Sequence, residues 1–167
     1  MNKPVSWKAS GLPWLVLSTA VVAIDQIVKA LVLAQLRPYE SHPVIAGLLS
    51  WTLAFNKGAA FSFLHDESGW QRWLFSLLAI FVSAMLVRWL ATIARSDWRS
   101  ALPLSLVIGG ALGNLIDRLR FGQVTDFIDV YWGDAHFPAF NVADSAITVG
   151  AVLLIWFGLF AKAHKSA

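Results

Sequence analysis

The sequence predicts an all-α membrane protein: a bundle of four transmembrane helices with a small periplasmic β-strand cradle and a short interfacial helix. Hydrophobic residues make up 57% of the 167 residues and charged residues only 14%, whereas a soluble domain carries roughly a quarter charged residues. The mean hydropathy is +0.63, and the apolar residues fall into four long segments. This apolar content is too large for one soluble core and indicates lipid-facing surface.

Each apolar segment is long enough to cross a bilayer, which takes about 20 helical residues. The first segment runs past Asp25 to Leu33, and no small-x-small site precedes a polar stretch, so we expect an uncleaved helix and not a removed signal. No internal repeat divides the chain, and we expect a single membrane domain over residues 1–167. The predicted transmembrane helices span about 12–36, 70–93, 101–119 and 141–161, and the longer loops are 37–69 and 120–140.

The basic residues indicate how these helices are oriented. They concentrate at both termini and around the loop between the second and third helices, where Asp97 is the only acid. Cytoplasmic segments are enriched in lysine and arginine, so we expect an inner-membrane protein with both termini in the cytoplasm and the two longer loops in the periplasm. Because the basic residues flank apolar runs, the net charge of +3 indicates orientation and not a nucleic-acid partner. The basic residues that indicate this orientation are Lys3, Lys8, Arg88, Arg95, Arg99, Lys162 and Lys165.

The two longer loops contain predicted structure. Residues 49–56 alternate large apolar with small or polar side chains, which is the pattern of a strand with one apolar face. This strand ends at Asn56-Lys57-Gly58, where asparagine and glycine favour a tight turn. In the other loop, apolar residues recur at helical spacing from Val124 to Tyr131, which predicts a short helix lying on the membrane surface.

Polar residues inside the predicted helices form three groups, and each group needs a reason because such residues are costly in lipid. Asp25 and Lys29 share one face of the first helix. At 1.5 Å per residue, Asp25 lies about 16 Å beyond Trp14 along the axis, at or past mid-membrane. The other two groups lie at the outer ends of their helices, so all three can form one polar site. These groups are Asn114, Asp117 and Arg118 in the third helix, and Asn141 and Asp144 in the fourth.

Several of these residues also have a structural interpretation. Asp25 can neutralise Lys29, and in the same way Asp117 can neutralise Arg118. The asparagines can form interhelical hydrogen bonds, and Gly109-x-x-x-Gly113 is typical of close helix packing.

Two further acids are candidates for chemistry. Asp144 has no basic residue on its own helix face, so its carboxyl needs a partner from another element or must be protonated. In the loop 120–140, periodicity alone leaves Asp126 in competition with Asp129 and Asp134, since exposed loop acids are usually solvated.

Five short motifs occur in order along the four-helix pattern. These motifs are Asp25-Gln26-Ile27-Val28-Lys29, Asn56-Lys57-Gly58-Ala59-Ala60-Phe61-Ser62, Gly110-Ala111-Leu112-Gly113-Asn114-Leu115-Ile116-Asp117-Arg118, Val124-Thr125-Asp126-Phe127 and Phe140-Asn141-Val142-Ala143-Asp144-Ser145. On these motifs the chain resembles the lipoprotein signal peptidase family, signal peptidase II, over nearly its full length.

The resemblance implies an aspartic endopeptidase of the bacterial inner membrane, with Asp126 and Asp144 as the catalytic pair. Its substrates would be diacylglyceryl-modified prolipoproteins, cut just before the lipid-bearing cysteine, and globomycin-type peptides would inhibit it. Two carboxyls that share a proton can activate water, so we expect no metal or other cofactor, and we expect a monomer in membrane lipid. The residues implied to support the site or contact substrate are Asp25, Lys29, Asn56, Gly58, Asn114, Asp117, Arg118 and Asn141.

Two other classes of protein compete with this interpretation. Intramembrane carboxylates relay protons in transporters, but transporters commonly show repeated halves, which this sequence lacks. A non-catalytic assembly factor would explain the apolar packing but not the outward cluster of acids. Among hydrolases, the four scattered histidines contain no His-Glu-x-x-His motif of a zinc protease, and no motif supports a serine–lysine dyad. Ion flux without peptide cleavage would favour a transporter.

Overall fold

The computed structural model describes Trp7 and residues 9–58 and 69–160. Within these residues lie four long helices of 19 to 24 residues, or about 28–36 Å, and all four are long and apolar enough to cross a membrane. This confirms the predicted four-helix architecture. The helices are α1 (Leu15–Gln35), preceded by a 3-10 turn at Leu12–Trp14, α2 (Trp70–Thr92), α3 (Trp98–Phe121) and α4 (Val142–Phe160).

Helix α3 is the centre of the bundle and packs against each of the other three helices. In its most apolar stretch 67% of the residues are buried, against 28%, 17% and 17% in α1, α2 and α4. Glycines allow the close approach: a Cβ at Gly109 would lie 2.7 Å from the Cβ of Val21, and one at Gly113 would lie 2.8 Å from a carboxylate oxygen of Asp25. The packing role expected for these two glycines is therefore present at the α1–α3 contact.

A small antiparallel sheet covers one end of the bundle. Within the described residues it has four strands in the order β1 (Ser41–Ile45), β2 (Leu49–Asn56), β3 (Val124–Trp132) and β4 (Ala135–His136). The strand predicted over 49–56 is thus confirmed as β2. Its pairing with β3 sets Asn56 opposite Val124 and Ala54 opposite Asp126, which brings the two loops of the chain together.

The prediction of an interfacial helix from Val124 to Tyr131 is wrong, because this segment is part of strand β3. The segment is rich in β-branched and aromatic residues, which favour strands. Its first four residues, Val124 to Phe127, are all buried, so it lacks the alternation of a strand with one exposed face. The apolar residues had a helix-like spacing because side chains on both faces of this strand are buried.

Phe127 fixes the sheet to the bundle. Its side chain is fully buried and packs with Val32 of α1 and Leu53 of β2. The ring of Trp51 stacks on the ring of Phe127, with the ring centroids 5.5 Å apart. Because Phe127 is locked in this way, its neighbour Asp126 is held against the ends of the helices.

Candidate active site

The first turn of α4 holds Asp144 in a defined position. Asn141 precedes the helix, and its side-chain oxygen accepts a hydrogen bond from the backbone N–H of Asp144 at 2.9 Å. In return, the backbone N–H of Asn141 donates to a carboxylate oxygen of Asp144 at 3.3 Å. This reciprocal capping satisfies backbone donors that a helix start leaves free. It also places a half-buried carboxylate at the positive end of a helix dipole.

Asp126 projects from β3 to the same place. It is only 2% exposed, and the side-chain nitrogen of Asn141 donates to it at 2.6 Å. Asn56 forms a second side-chain hydrogen bond to Asp126. Asn141 is therefore bonded through one end of its amide to Asp126 and through the other to the backbone of Asp144.

Burial raises the pKa of Asp126 from an ordinary 3.8 to about 7. The negative charge of Asp144 contributes in the same direction, while the hydrogen bonds from Asn56 and Asn141 and the positive charge of Lys29 act against it. Near neutral pH the carboxyl of Asp126 therefore exchanges readily between its protonated and ionised forms. This property suits a general acid or base.

Asn114 connects this pair to the interior of the bundle. Its side-chain nitrogen donates to a carboxylate oxygen of Asp144 at 2.7 Å. Its side-chain oxygen accepts from the nitrogen of Asn141 at 3.1 Å and from the ammonium of Lys29 at 3.0 Å.

Behind the asparagines lies a buried charged triad of Asp25, Lys29 and Asp117, each at most 2% exposed. The ammonium of Lys29 lies 2.8 Å from Asp25 and 3.1 Å from Asp117. The predicted pair of Asp25 with Lys29 is present. The suggested pair of Asp117 with Arg118 is not, because neighbouring residues on a helix point in different directions and Asp117 faces Lys29.

The two acids of the triad also hold the main chain next to each candidate catalytic residue. Asp25 accepts the backbone N–H of Ala143 at 3.0 Å, one residue before Asp144. Asp117 accepts the backbone N–H of Thr125 at 2.9 Å, one residue before Asp126. The triad thus ties α4 and β3 to α1 and α3, and it fixes the relative position of the two carboxyls.

Gln26 belongs to this network, although sequence reasoning did not single it out. Its side-chain nitrogen donates to Asp117 at 2.9 Å, to Asp25 at 3.2 Å and to the backbone oxygen of Gly113 at 3.2 Å. A polar side chain next to Asp25 within an apolar helix was the available signal. The backbone N–H groups of Thr125 and Ala143 carry no such signal, because every non-proline residue has one.

A groove of about 250 Å³ opens beside Asp144, between α2, α3 and α4. Asn114, Arg118 and Asp144 form its polar part, and the remaining lining residues are apolar. The guanidinium of Arg118 lies 5.3 Å from the ring centroid of Phe75 and makes no ion pair within the described part of the chain. Two larger grooves, of about 470 and 450 Å³, contain neither carboxyl. The apolar lining residues are Phe75, Leu78, Ala79, Val82, Val107, Ala111 and Ile147.

The turn after β2 reaches the same groove. The side-chain oxygen of Asn56 accepts the backbone N–H of Gly58 at 2.8 Å, so one asparagine contacts both the turn and Asp126. Gly58 has φ +102°, and a Cβ there would lie 2.5 Å from the ring of Phe75. Only glycine fits this contact without strain. The rest of this motif, residues 59–62, lies outside the described residues, as do the basic residues 3, 8, 162 and 165.

The structure also separates Asp126 from the other loop acids. Asp129 bonds to His136, with 2.9 Å between a carboxylate oxygen and Nδ1, and it accepts from Thr52 at 3.3 Å. Asp134 is exposed. Of the three, Asp126 is the one bonded to the asparagine network. All ten residues that the motifs indicated lie in this network or on the groove beside it.

Fold and site together define a membrane protein of several spans with two carboxyls bridged by amide side chains, an arrangement suited to aspartic peptidase chemistry. The sequence matches the signal peptidase (SPase) II family over residues 17–160. The chain therefore belongs to the signal peptidase II family, and it is an enzyme of the aspartic peptidase class.

Individual relatives agree with this assignment. A lipoprotein signal peptidase of Xanthomonas oryzae pv. oryzae (strain PXO99A) is 54% identical over 158 residues, which cover 95% of each chain. One of Pseudomonas paraeruginosa (strain DSM 24068 / PA7) is 58% identical over 144 residues, covering 86% of this chain and 85% of the relative.

Two solved structures, each of a bacterial membrane enzyme determined by the in meso method, have a similar fold. The first has a TM-score of 0.79 at 29% identity and covers 100% of this chain and 96% of its own. The second has a TM-score of 0.74 at 31% identity, with 93% and 95% covered.

Proposed function

We propose that the enzyme removes signal peptides from diacylglyceryl-modified prolipoproteins, cutting just before the lipidated cysteine, with Asp126 and Asp144 as the catalytic pair. One observation carries the assignment of the pair. A single buried amide, that of Asn141, donates to Asp126 while it caps the backbone of Asp144. The named activity of the relatives, lipoprotein signal peptidase, supplies the substrate class.

The reaction follows from the shared environment of the two carboxyls. Two close acids in a poorly hydrated site hold one proton between them most easily. The ionised carboxylate takes a proton from water as the water oxygen attacks the scissile carbonyl. The protonated carboxyl donates to the carbonyl oxygen and stabilises the tetrahedral intermediate. When the intermediate collapses, the C–N bond breaks and the departing amine takes a proton from the pair.

The groove matches the two parts of such a substrate. Acyl chains lie against the apolar lining on α2 and α4, where Leu78, Val82 and Ile147 provide hydrocarbon contact. The peptide bond near the cysteine then reaches Asp144 at the polar end. Arg118 lines the same groove, with its guanidinium 5.3 Å from the ring centroid of Phe75, and contacts the substrate there.

We place this site at the periplasmic face of the inner membrane, with the sheet as a cradle over the bound peptide and both termini in the cytoplasm. The distribution of lysine and arginine along the sequence supports this orientation. Lipidated precursors approach laterally through the membrane, so an opening between α2 and α4 suits their entry. We further propose that the enzyme acts as a monomer and that globomycin-type peptides occupy the substrate groove.

An assay with purified enzyme in lipid and matched precursors tests the proposal. We expect cleavage of the diacylglyceryl-modified precursor, no cleavage of its unlipidated form, inhibition by globomycin and no effect of EDTA. Asp126→Asn and Asp144→Asn should each abolish cleavage while the protein remains folded. Asp134→Asn is the matched control, since it changes an exposed acid of the same loop. Turnover like that of the wild type in either dyad variant would refute the assignment.

A further inference from the structure

Lys29 is a buried cation whose contacts extend beyond its ion pairs. An ammonium group has three N–H donors and no acceptor. Here all three have a partner, because Asp25, Asp117 and the side-chain oxygen of Asn114 lie 2.8, 3.1 and 3.0 Å from the nitrogen. Within the described residues, Lys29 makes no hydrogen bond to Asp126 or Asp144. Its third bond, to a neutral amide, is the one that charge neutralisation does not explain.

That third bond determines which way the amide of Asn114 points. An asparagine side chain accepts at its oxygen and donates at its nitrogen, and rotation by half a turn exchanges the two. The oxygen of Asn114 faces two donors, Lys29 and the side-chain nitrogen of Asn141. Rotation would place an NH₂ group against an ammonium that cannot accept a hydrogen bond. The nitrogen of Asn114 must therefore face Asp144.

The amide of Asn141 has a fixed direction for the same reason. Its oxygen faces the backbone N–H of Asp144, which can only donate, so its nitrogen must face Asp126. Each carboxyl of the pair thus receives an N–H bond from an amide that cannot reverse. The direction of Asn141 is set by the helix start, whereas the direction of Asn114 is set by Lys29 together with the nitrogen of Asn141.

We propose that Lys29 is a positioning residue of the catalytic pair: it locks the Asn114 amide so that Asp144 always receives an N–H donor. This rests on the proposed roles of Asp126 and Asp144. An N–H donor favours the ionised carboxylate, so the lock keeps the ionised form of Asp144 available to take the proton of the attacking water. Without the lock, a reversed amide would present its oxygen to Asp144 and hold a proton there.

The test must separate this role from the structural role of a buried ion pair. Lys29→Met alone would leave two buried carboxylates without their cation, which is strongly destabilising. Combining it with Asp117→Asn avoids this, because the formal charge of the triad is −1 with Asp25, Lys29 and Asp117 all ionised, and it stays −1 when one cation and one anion are removed together. Asp117→Asn alone is therefore the matched background.

In that background, adding Lys29→Met should lower kcat about 10- to 100-fold, the size expected for losing one hydrogen bond to a charged group, with KM changed less than about twofold. Asn114→Ala should cause a similar loss. The triple variant should lose no more than Asn114→Ala in the same background, since Lys29 acts through Asn114. Losses that multiply, or an unchanged kcat on adding Lys29→Met, would overturn the proposal.

A second measurement leaves Lys29 in place, in case its replacement prevents folding. Asn114→Asp substitutes a carboxyl that can donate to Asp144 only when protonated. Its activity relative to Asn114→Ala should therefore rise as the pH falls from about 7 to about 5, whereas parallel pH profiles of the two variants would contradict the proposed N–H donor. If Asp126→Asn and Asp144→Asn lose cleavage but the losses of Lys29→Met and Asn114→Ala multiply, only the positioning role is refuted and the catalytic pair stands. Retained cleavage in those two variants would refute the catalytic pair itself.

Discussion

Replacing Asp126 by asparagine should abolish catalysis and stabilise the protein, with a stabilisation that depends on pH. The folded protein holds the pKa of Asp126 at about 7, while the unfolded chain returns it to its ordinary 3.8. Between these values the folded state binds more protons than the unfolded state, so stability falls as the pH rises. The carboxyl of Asp126 therefore does not oppose folding below pH ~4, and its full cost to stability is reached once the pH has passed ~7.

The size of this effect follows from the same two pKa values. The difference between the ordinary pKa of 3.8 and the folded pKa of about 7 corresponds to about 4 kcal/mol at high pH. An asparagine side chain avoids this cost but can no longer accept from both Asn56 and Asn141 through two carboxylate oxygens. We therefore expect a net gain of about 1–3 kcal/mol at pH ~8, or roughly 3–10 °C in Tm for a chain of this size.

Thermal unfolding in one detergent, measured from about pH 4.5 to about pH 8, tests this expectation. The difference in Tm between Asp126→Asn and the wild type should grow steadily with pH. Asp134→Asn should show no such growth, since this acid is exposed. A difference in Tm that stayed constant across the range would refute the argument that burial of an ionisable group at residue 126 opposes folding.

Three further predictions concern the same site and its supports. The kcat/KM of the wild type should fall above pH ~7 as the pair loses its shared proton, and a flat alkaline limb would contradict this. Gly58→Ala should reduce turnover and cost about 1–3 kcal/mol, because φ is +102° and the new Cβ would meet Phe75; Gly47→Ala, with φ +79° but open space around it, should cost less and leave turnover unchanged. Gly109→Ala should cost about 1–3 kcal/mol in thermal unfolding by separating α1 from α3, whereas Gly158→Ala, in open space, should be neutral or slightly stabilising.

The four helices were predictable from their long apolar segments. Most residues of the candidate site were noticeable because polar side chains in apolar segments are costly and need partners. Asp25 with Lys29 read as a pair from spacing alone, and their ion pair is present. The resemblance indicated Asp126 over Asp129 and Asp134, and the structure gives Asp129 a separate partner in His136. Sequence could not show that Asp117 turns to Lys29 and not to Arg118, because that depends on how α3 is rotated against α1.

The error at β3 has a similar cause. A strand with one exposed face alternates between buried and exposed side chains, but the first four residues of β3 are all buried. Phe127 packs with Val32 of α1, and Asp126, on the opposite face of the strand, is bonded to Asn141. The identity of its partners is a property of the assembled fold, since β2 and β3 are separated by the whole of α2 and α3. Local periodicity cannot identify such a partner. The β-branched and aromatic composition of the segment could, however, have indicated a strand in place of a helix.

The charged residues of the candidate site fall into two groups, a buried triad that holds the main chain and a carboxyl pair that is bonded to amides. The triad of Asp25, Lys29 and Asp117 is fully paired and nearly inaccessible, and it bonds to the main chain beside each candidate catalytic residue. Asp126 and Asp144 receive hydrogen bonds from neutral amides and have no direct ion pair within the described residues. A cation bonded to either carboxyl would hold it ionised and remove its ability to exchange a proton. In the proposed mechanism, a cation one asparagine away orients the pair while its proton stays available for water activation.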